Sequence, residues 1–152
     1  MNDGCIFCRI VAGTIPGTKV YEDADVLVFM DISPVTKGHA LVIPKAHHDP
    51  ITNVPAALLQ KVIVVVQKIA AAQVEWLKAD GVNVTQANGK IAGQVIPHVH
   101  FHVLPRYDGE RSGAGLTVAD AGWPGQPNLA QAVKLDETQI AALTGWLKPY
   151  FA

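Results

Sequence analysis

The sequence predicts an α+β fold: a mainly antiparallel five-stranded sheet with one long helix and a C-terminal helical extension. Three observations carry this. Short apolar and β-branched runs sit between turn residues through the first hundred positions. One stretch, from about Val54 to Asp80, has helical periodicity. The order is strands, helix, strands, which favours antiparallel pairing over a repeated strand–helix–strand sheet.

The elements follow in order. Thr18 to Glu22 reads as a short strand. Val26 to Asp31 (VLVFMD) is apolar throughout and fits a buried strand. His39 to Pro44 (HALVIP) follows a Lys37-Gly38 turn. In the helix, Leu58, Leu59, Val62, Ile63, Val66, Ile69, Ala70, Val74 and Leu77 recur at helical intervals. Pro55 suits a first turn and Gly81 a stop. Val64 and Val65 widen the apolar surface, so this helix wants burial on more than one side. A homodimer interface would provide it, and so would a plain core position. Val82 to Asn88 (VNVTQAN) alternates apolar and polar, as does His98 to Leu104 (HVHFHVL). In the tail, Asp136 can cap a helix with Gln139 three residues on, and Ile140, Leu143 and Leu147 share one face. Gly145 weakens that helix by about 1 kcal/mol relative to Ala.

At 152 residues the chain suits one domain. A Gly- and Pro-rich segment, Asp108 to Asn128, separates a body, residues 1–107, from the rest. Residues 108–152 are expected to be that segment plus a helix, appended to the same domain. Apolar residues make up 49% and charged residues 16%, which excludes a disordered chain. Twelve Lys+Arg against thirteen Asp+Glu leave no basic excess to follow a nucleic-acid backbone. The longest apolar runs, such as Val62 to Val66, are far shorter than a membrane span. The N-terminus has no cationic region followed by an apolar stretch, so no secretory signal is expected and a cytoplasmic location is. Cys5 and Cys8 are the only cysteines. Inside a cell, such a pair points to metal or redox chemistry before a structural disulfide.

The sharpest feature is His98-Val99-His100-Phe101-His102-Val103. In a strand, His98, His100 and His102 share one face, about 6.6–6.8 Å apart along the chain. Val99, Phe101 and Val103 take the other. Three imidazoles on one face offer a nucleophile, a proton donor and a metal ligand near neutral pH. Half of the six histidines fall in these five residues, which a solvated strand face does not explain.

Other pieces accompany this motif: Cys5-Ile-Phe-Cys8, Tyr21-Glu22-Asp23, Asp31-Ile32-Ser33-Pro34, Lys37-Gly38-His39, Val42-Ile43-Pro44-Lys45-Ala46-His47, Asn88 and Gly93-Gln94. In this order and spacing, residues 1–107 resemble the histidine triad (HIT) family of nucleotide hydrolases and transferases, in its zinc-containing bacterial-type branch. The resemblance implies the fold given above and an enzyme. Its substrates would be purine nucleoside phosphoramidates, adenylylated amines or dinucleoside polyphosphates. The middle histidine, His100, would attack the α-phosphorus, form a nucleotidyl-histidine and be released by water. His102 would donate to the phosphate oxygens. A non-catalytic nucleotide binder and a zinc-stabilised interaction module are the rival readings.

The same resemblance implies a structural zinc held by Cys5, Cys8, His47 and His98, with His48 adjacent to the third ligand. A redox pair is the alternative for the cysteines. It gives Asp31 the ribose hydroxyls, and Phe7, Ile10, Phe29 and Ile32 the base, although core packing alone would account for any one of these four. Asn88 would orient the leaving-group side. Gln94 would meet phosphate, and Gly93 would allow close backbone approach. Val95 is a departure, since many relatives carry Ser or Thr there. The breadth of its apolar surface makes the long helix the expected interface of a homodimer.

Overall fold

The computed structural model describes residues 2–107 and 134–150. A short helix α1, Ile6–Val11, opens the chain. Strands β1 (Lys19–Glu22), β2 (Val26–Met30) and β3 (Ala40–Pro44) follow, then helix α2, Ala56–Glu75. Strands β4 (Gly81–Thr85) and β5 (Phe101–Arg106) complete one antiparallel sheet in the order β1-β2-β3-β5-β4. Helix α3, Glu137–Leu147, comes last. This is the α+β architecture expected.

The period of two along the strands decides what each side of the sheet holds. Val26, Val28, Ala40, Val42, Phe101 and Val103 pack beneath α2 and α3 in the larger core. Leu27, Phe29, Leu41 and Ile43 face the other way, where Cys5, Phe7, Cys8 and Ile10 of the α1 region cover them. All five residues of β2 and of β3 are therefore buried, which is why those strands read as unbroken apolar runs. The two cysteines and the aromatic Phe7 thus lie on the side of the sheet opposite the long helix.

Helix α2 is shorter than the periodicity suggested. Pro55 is its N-cap, and it stops at Glu75, five residues before Asp80. Lys78 adopts a left-handed conformation with φ of 57°, which turns the chain and lets Trp76 and Leu77 rest on the core. Gly81 begins β4 instead of ending the helix. By length and composition α2 could cross a bilayer, but Val62, Val65, Val66, Ile69 and Ala72 are packed into the core of this sheet. Val65 is buried, while Val64 is 48% exposed beside Ile63.

Strand boundaries also differ from those expected, by three residues at the end of β4 and at the start of β5 and by one or two elsewhere. β4 ends at Thr85, three residues before Asn88. The side chains of Gln86 and Asn88 bond to each other and Asn88 accepts from the Ile51 N–H, so this stretch serves a loop. β5 begins at Phe101, not His98. The His98 N–H turns back to the Ile96 carbonyl, and Val99 bonds to His48, so the ladder starts only afterwards. The alternation survives this: Val99 is buried with Phe101 and Val103 in the larger core. α1 was not expected at all. The C-terminal helix has the expected capping box, with the Gln139 N–H donating to Asp136 at 2.8 Å and the Asp136 N–H donating back at 3.1 Å. Leu143 and Leu147 of this helix are buried in the larger core. The Gly- and Pro-rich segment Asp108 to Asn128 lies outside the described residues.

Candidate active site and metal centre

His100 and His102 face the α1 side of the sheet, with ring centroids 5.0 Å apart. Each ring has a partner that fixes its protons. His100 Nδ1 lies 2.6 Å from the His98 carbonyl, which can only accept. Nδ1 therefore carries the hydrogen, and Nε2 keeps its lone pair. His102 Nδ1 lies 2.8 Å from Nε2 of His39. His39 Nδ1 in turn accepts from the Val35 N–H at 3.2 Å. Read outward from Val35, His39 donates through Nε2 and His102 donates through its own Nε2. The site thus pairs an imidazole with a free lone pair and an imidazole with an outward N–H. Chemically, such a pair can serve as a nucleophile beside a donor for developing negative charge.

Burial holds these rings neutral. It pushes His102 down to about 3, with His39 and His100 adding repulsion in the same direction. It also lowers His39, against the pull of Asp31, whose Oδ2 is 3.7 Å from its Nδ1. His100 is lowered as well, chiefly by burial and against its bond to the His98 carbonyl and the carboxylates of Asp31 and Asp49. An imidazole lowered from 6.5 is mostly unprotonated at neutral pH, as an attacking nitrogen would need to be. The acid limb of kcat/KM is therefore expected below pH 6.5, with a level profile from there to pH 8. A half-maximal point at or above 6.5 would contradict the assignment.

Gln73, which the sequence does not single out, and Gly38 of the Lys37-Gly38 turn brace this pair from behind. Gln73 is buried on α2, and its Nε2 donates to the Gly38 carbonyl at 3.1 Å and the Val103 carbonyl at 3.0 Å. Those carbonyls flank His39 and His102 in the chain. Gly38 has φ of +95°, and a Cβ there would lie 2.3 Å from Leu77 Cδ1. Only glycine fits that turn. His39 appears in the sequence only as part of a short pattern. Its partnership with His102 depends on the register Leu41↔His102, which no local periodicity reveals.

Below these rings, Cys5, Cys8, His47 and His98 bring one donor atom each to within 4.8 Å of one another. Cys8 Sγ is 3.3 Å from His47 Nδ1, and Cys5 Sγ is 3.5 Å from His98 Nδ1. Tetrahedral bonds of about 2.3 Å to sulfur and 2.0 Å to nitrogen give a sulfur–nitrogen edge of about 3.5 Å, so the spacing fits zinc. His98 Nε2 donates to the Pro44 carbonyl at 2.8 Å, which leaves Nδ1 facing the thiols. Burial raises the Cys5 thiol, and a cation between these donors would favour the thiolate instead. His48 is outside the cluster; its carbonyl accepts from the Val99 N–H at 2.8 Å. α1 places the two cysteines, with Cys5 as its N-cap and Cys8 in its first turn.

The remaining candidates divide into walls and rims. Phe7 is buried, edge-on to Phe29 at 5.4 Å and to His100 at 5.2 Å. Phe7, Ile10 and Phe29 belong to the buried α1-side core. Ile32 alone of the four is open, at 76% exposure. Asp31 accepts from the Ser33 N–H at 2.7 Å through Oδ1. Gln94 is buried and occupied: it accepts from the Gly89 N–H at 2.6 Å and donates to Asp49 at 2.8 Å and to the Ile96 carbonyl at 3.1 Å. As it stands, its side chain closes the 89–94 loop. Gly89 and Gly93, with φ of 80° and 90°, shape the same loop. Val95, next to Gln94, is 71% exposed.

Comparison with known proteins gives the same picture. The HIT domain model matches residues 12–109. An uncharacterised HIT-like protein of Methanocaldococcus jannaschii is 48% identical over 109 residues, 70% of this chain and 81% of that one. An adenosine 5'-monophosphoramidase of Saccharomyces cerevisiae is 39% identical over 146 residues, 95% of this chain and 86% of its own length. A zinc-bound histidine triad family protein from Mycobacterium smegmatis superposes with a TM-score of 0.74 at 34% identity, covering 96% of both chains. The alternating histidines, the sheet that presents them and these matches over most of the chain agree: the protein belongs to the HIT, or histidine triad, family.

Proposed function

We propose that this protein hydrolyses purine nucleoside phosphoramidates and adenylylated amines, with dinucleoside polyphosphates as further substrates, through a nucleotidyl intermediate on His100. The observation that carries this reading is the 2.6 Å contact of His100 Nδ1 with the His98 carbonyl, which leaves Nε2 as an uncharged nucleophile. The Saccharomyces cerevisiae relative, an adenosine 5'-monophosphoramidase, supports the substrate class. In the first step His100 Nε2 forms a bond to the α-phosphorus and the leaving group departs. His102 donates to a phosphate oxygen as charge builds there. Water then attacks the same phosphorus, and the nucleoside monophosphate leaves His100. Asp31 takes the ribose hydroxyls. Asn88 faces the leaving-group side. Phe7, Ile10, Phe29 and Ile32 border the base, and Gly93 and Gln94 bring loop backbone near the phosphate.

The test is incubation with an adenosine 5'-phosphoramidate. AMP and free amine should appear in equal amounts over many turnovers. Nucleotide binding without AMP release would favour the non-catalytic reading.

The zinc-containing branch is part of this proposal. Cys5, Cys8, His47 and His98 would hold a structural zinc, which as a closed four-ligand site fixes α1 against the histidine segment. The chain's own residues then carry the chemistry. Cytoplasmic location, absence of nucleic-acid and membrane partners, and the division at residue 107 complete the reading.

Homodimerisation through α2 is proposed from its uncovered apolar residues Ile63, Val64 and Val74, each nearly half exposed. Val64→Glu should convert the dimer to a monomer by light scattering, because an unpaired charge in an apolar interface costs several kcal/mol. An unchanged mass would move the interface elsewhere.

Val95 sets leaving-group preference in this account. A hydroxyl there could donate a proton to a departing amine, and valine cannot. Val95→Thr restores the donor at nearly constant volume. It should raise kcat/KM for a phosphoramidate by on the order of tenfold, more than for a dinucleoside polyphosphate. A ratio that does not move toward the phosphoramidate would remove Val95 from that role.

A further inference from the structure

Two carboxylates act electrostatically on His100, and they belong to different parts of the site. Asp31 sits at the end of β2, on the His39–His102 side, with Oδ1 occupied by the Ser33 N–H. Asp49 lies on the segment after β3 and is half-buried. Its Oδ1 accepts from Gln94 Nε2 at 2.8 Å, and Gln94 in turn holds the Gly89 N–H. This ties Asp49 to the loop that carries Asn88, Gly93 and Val95. Among the described residues, no ion pair and no second hydrogen bond is made by its carboxylate. The loop's own cation, Lys90, is exposed and does not pair with it.

The surroundings supply little to balance this charge. His39 and His102 are neutral by their hydrogen bonds, as derived above. A nucleotide phosphate adds negative charge of its own. In-line displacement puts the leaving group opposite His100 Nε2, and with the ribose at Asp31 the side left for it is bordered by the 88–95 loop, to which Gln94 ties Asp49. A half-buried carboxylate without a cation attracts one.

We propose that Asp49 is a specificity-determining residue of the hydrolysis proposed above: tethered by Gln94 beside the 88–95 loop, it selects leaving groups that carry a positive charge over neutral ones of the same shape. The natural substrates would then be nucleotides joined through nitrogen to amines bearing a second, protonated amino group. The chemistry balances without further reactants. His100 Nε2 bonds to phosphorus, the P–N bond breaks with its electron pair on nitrogen, and that nitrogen takes a proton from water; a water molecule then cleaves the bond to His100 and releases the nucleoside monophosphate. The remote ammonium keeps its charge throughout.

The experiment compares two adenosine 5'-phosphoramidates of matched length, one made from 1,4-diaminobutane and one from pentylamine. The native protein should favour the cationic substrate in kcat/KM by about tenfold at low salt, with the ratio shrinking as salt screens the charge. Asp49→Asn can still accept from Gln94 but has no charge, and its ratio should fall to about one. Asp49→Glu should keep the ratio above one. A native ratio of one overturns the proposal. So does a ratio that Asp49→Asn leaves unchanged, including the case where both rates fall together. If neither substrate is hydrolysed, the hydrolase reading fails separately. Calorimetric binding of the same pair then decides Asp49: tighter binding of the cationic compound that Asp49→Asn abolishes supports it, and equal binding overturns it.

Discussion

His100→Gly should lower turnover of an adenosine phosphoramidate by at least about four orders of magnitude while nucleotide binding changes only a few-fold. Removing a nucleophile closes the two-step route, and losses of that size are ordinary for residues that act this way. Binding should survive because the groups proposed to hold the nucleotide lie elsewhere. Asp31 is fixed by the Ser33 N–H, and Phe7 remains packed on Phe29. The His39–His102 bond is also independent of the lost ring. The measurement is a paired one, kcat by AMP release and Kd by calorimetry. A variant that keeps most of its rate removes the middle histidine from the nucleophilic role.

Cys5→Ser should lose zinc and lower Tm by on the order of 10 °C. Metal bound only by the folded chain contributes directly to folding, and losing several kcal/mol moves Tm by that amount in a domain of this size. The rate of the protein that remains folded should fall far less than in His100→Gly. Two links connect the sites: His98 offers Nδ1 to the cysteines and its carbonyl to His100, and Phe7, between the cysteines, touches the His100 ring. A loose α1 would therefore blur the position of the nucleophile without removing it. Metal analysis beside a thermal melt checks both halves. Unchanged zinc in this variant would take Cys5 out of the centre.

Much of the fold was legible because burial wrote it into the sequence. β2 and β3 are covered on both sides and read as unbroken apolar runs. The capping box of α3 is local chemistry and needed no tertiary information. Boundaries failed where tertiary contacts overrode local pattern. Lys78 leaves the helix despite good periodicity around it, and Gln86 and Asn88 leave β4 to bond within a loop. α1 is six residues long, too short for any period to show.

The site was legible to the same degree. The histidine alternation exposed His100 and His102, since neighbours in sequence are neighbours in space along a strand. The convergence of Cys5 and Cys8 on His47 and His98 came from motif resemblance, not from the residues themselves. His39, Gln73 and Asp49 were not singled out as working residues. Each meets the site across a long stretch of chain, at Leu41↔His102, at the Val103 carbonyl and at Gln94. A single chain carries no local mark of such pairings.

The central claim is a covalent bond between His100 and the α-phosphorus. The most direct test is mass spectrometry of protein quenched in acid-free conditions within the first turnover of an adenosine phosphoramidate. The expected result is a gain of one adenylyl group per site, carried on the peptide that contains His100. AMP released steadily with no adenylylated protein at any time, or with the adduct on another residue, would contradict it.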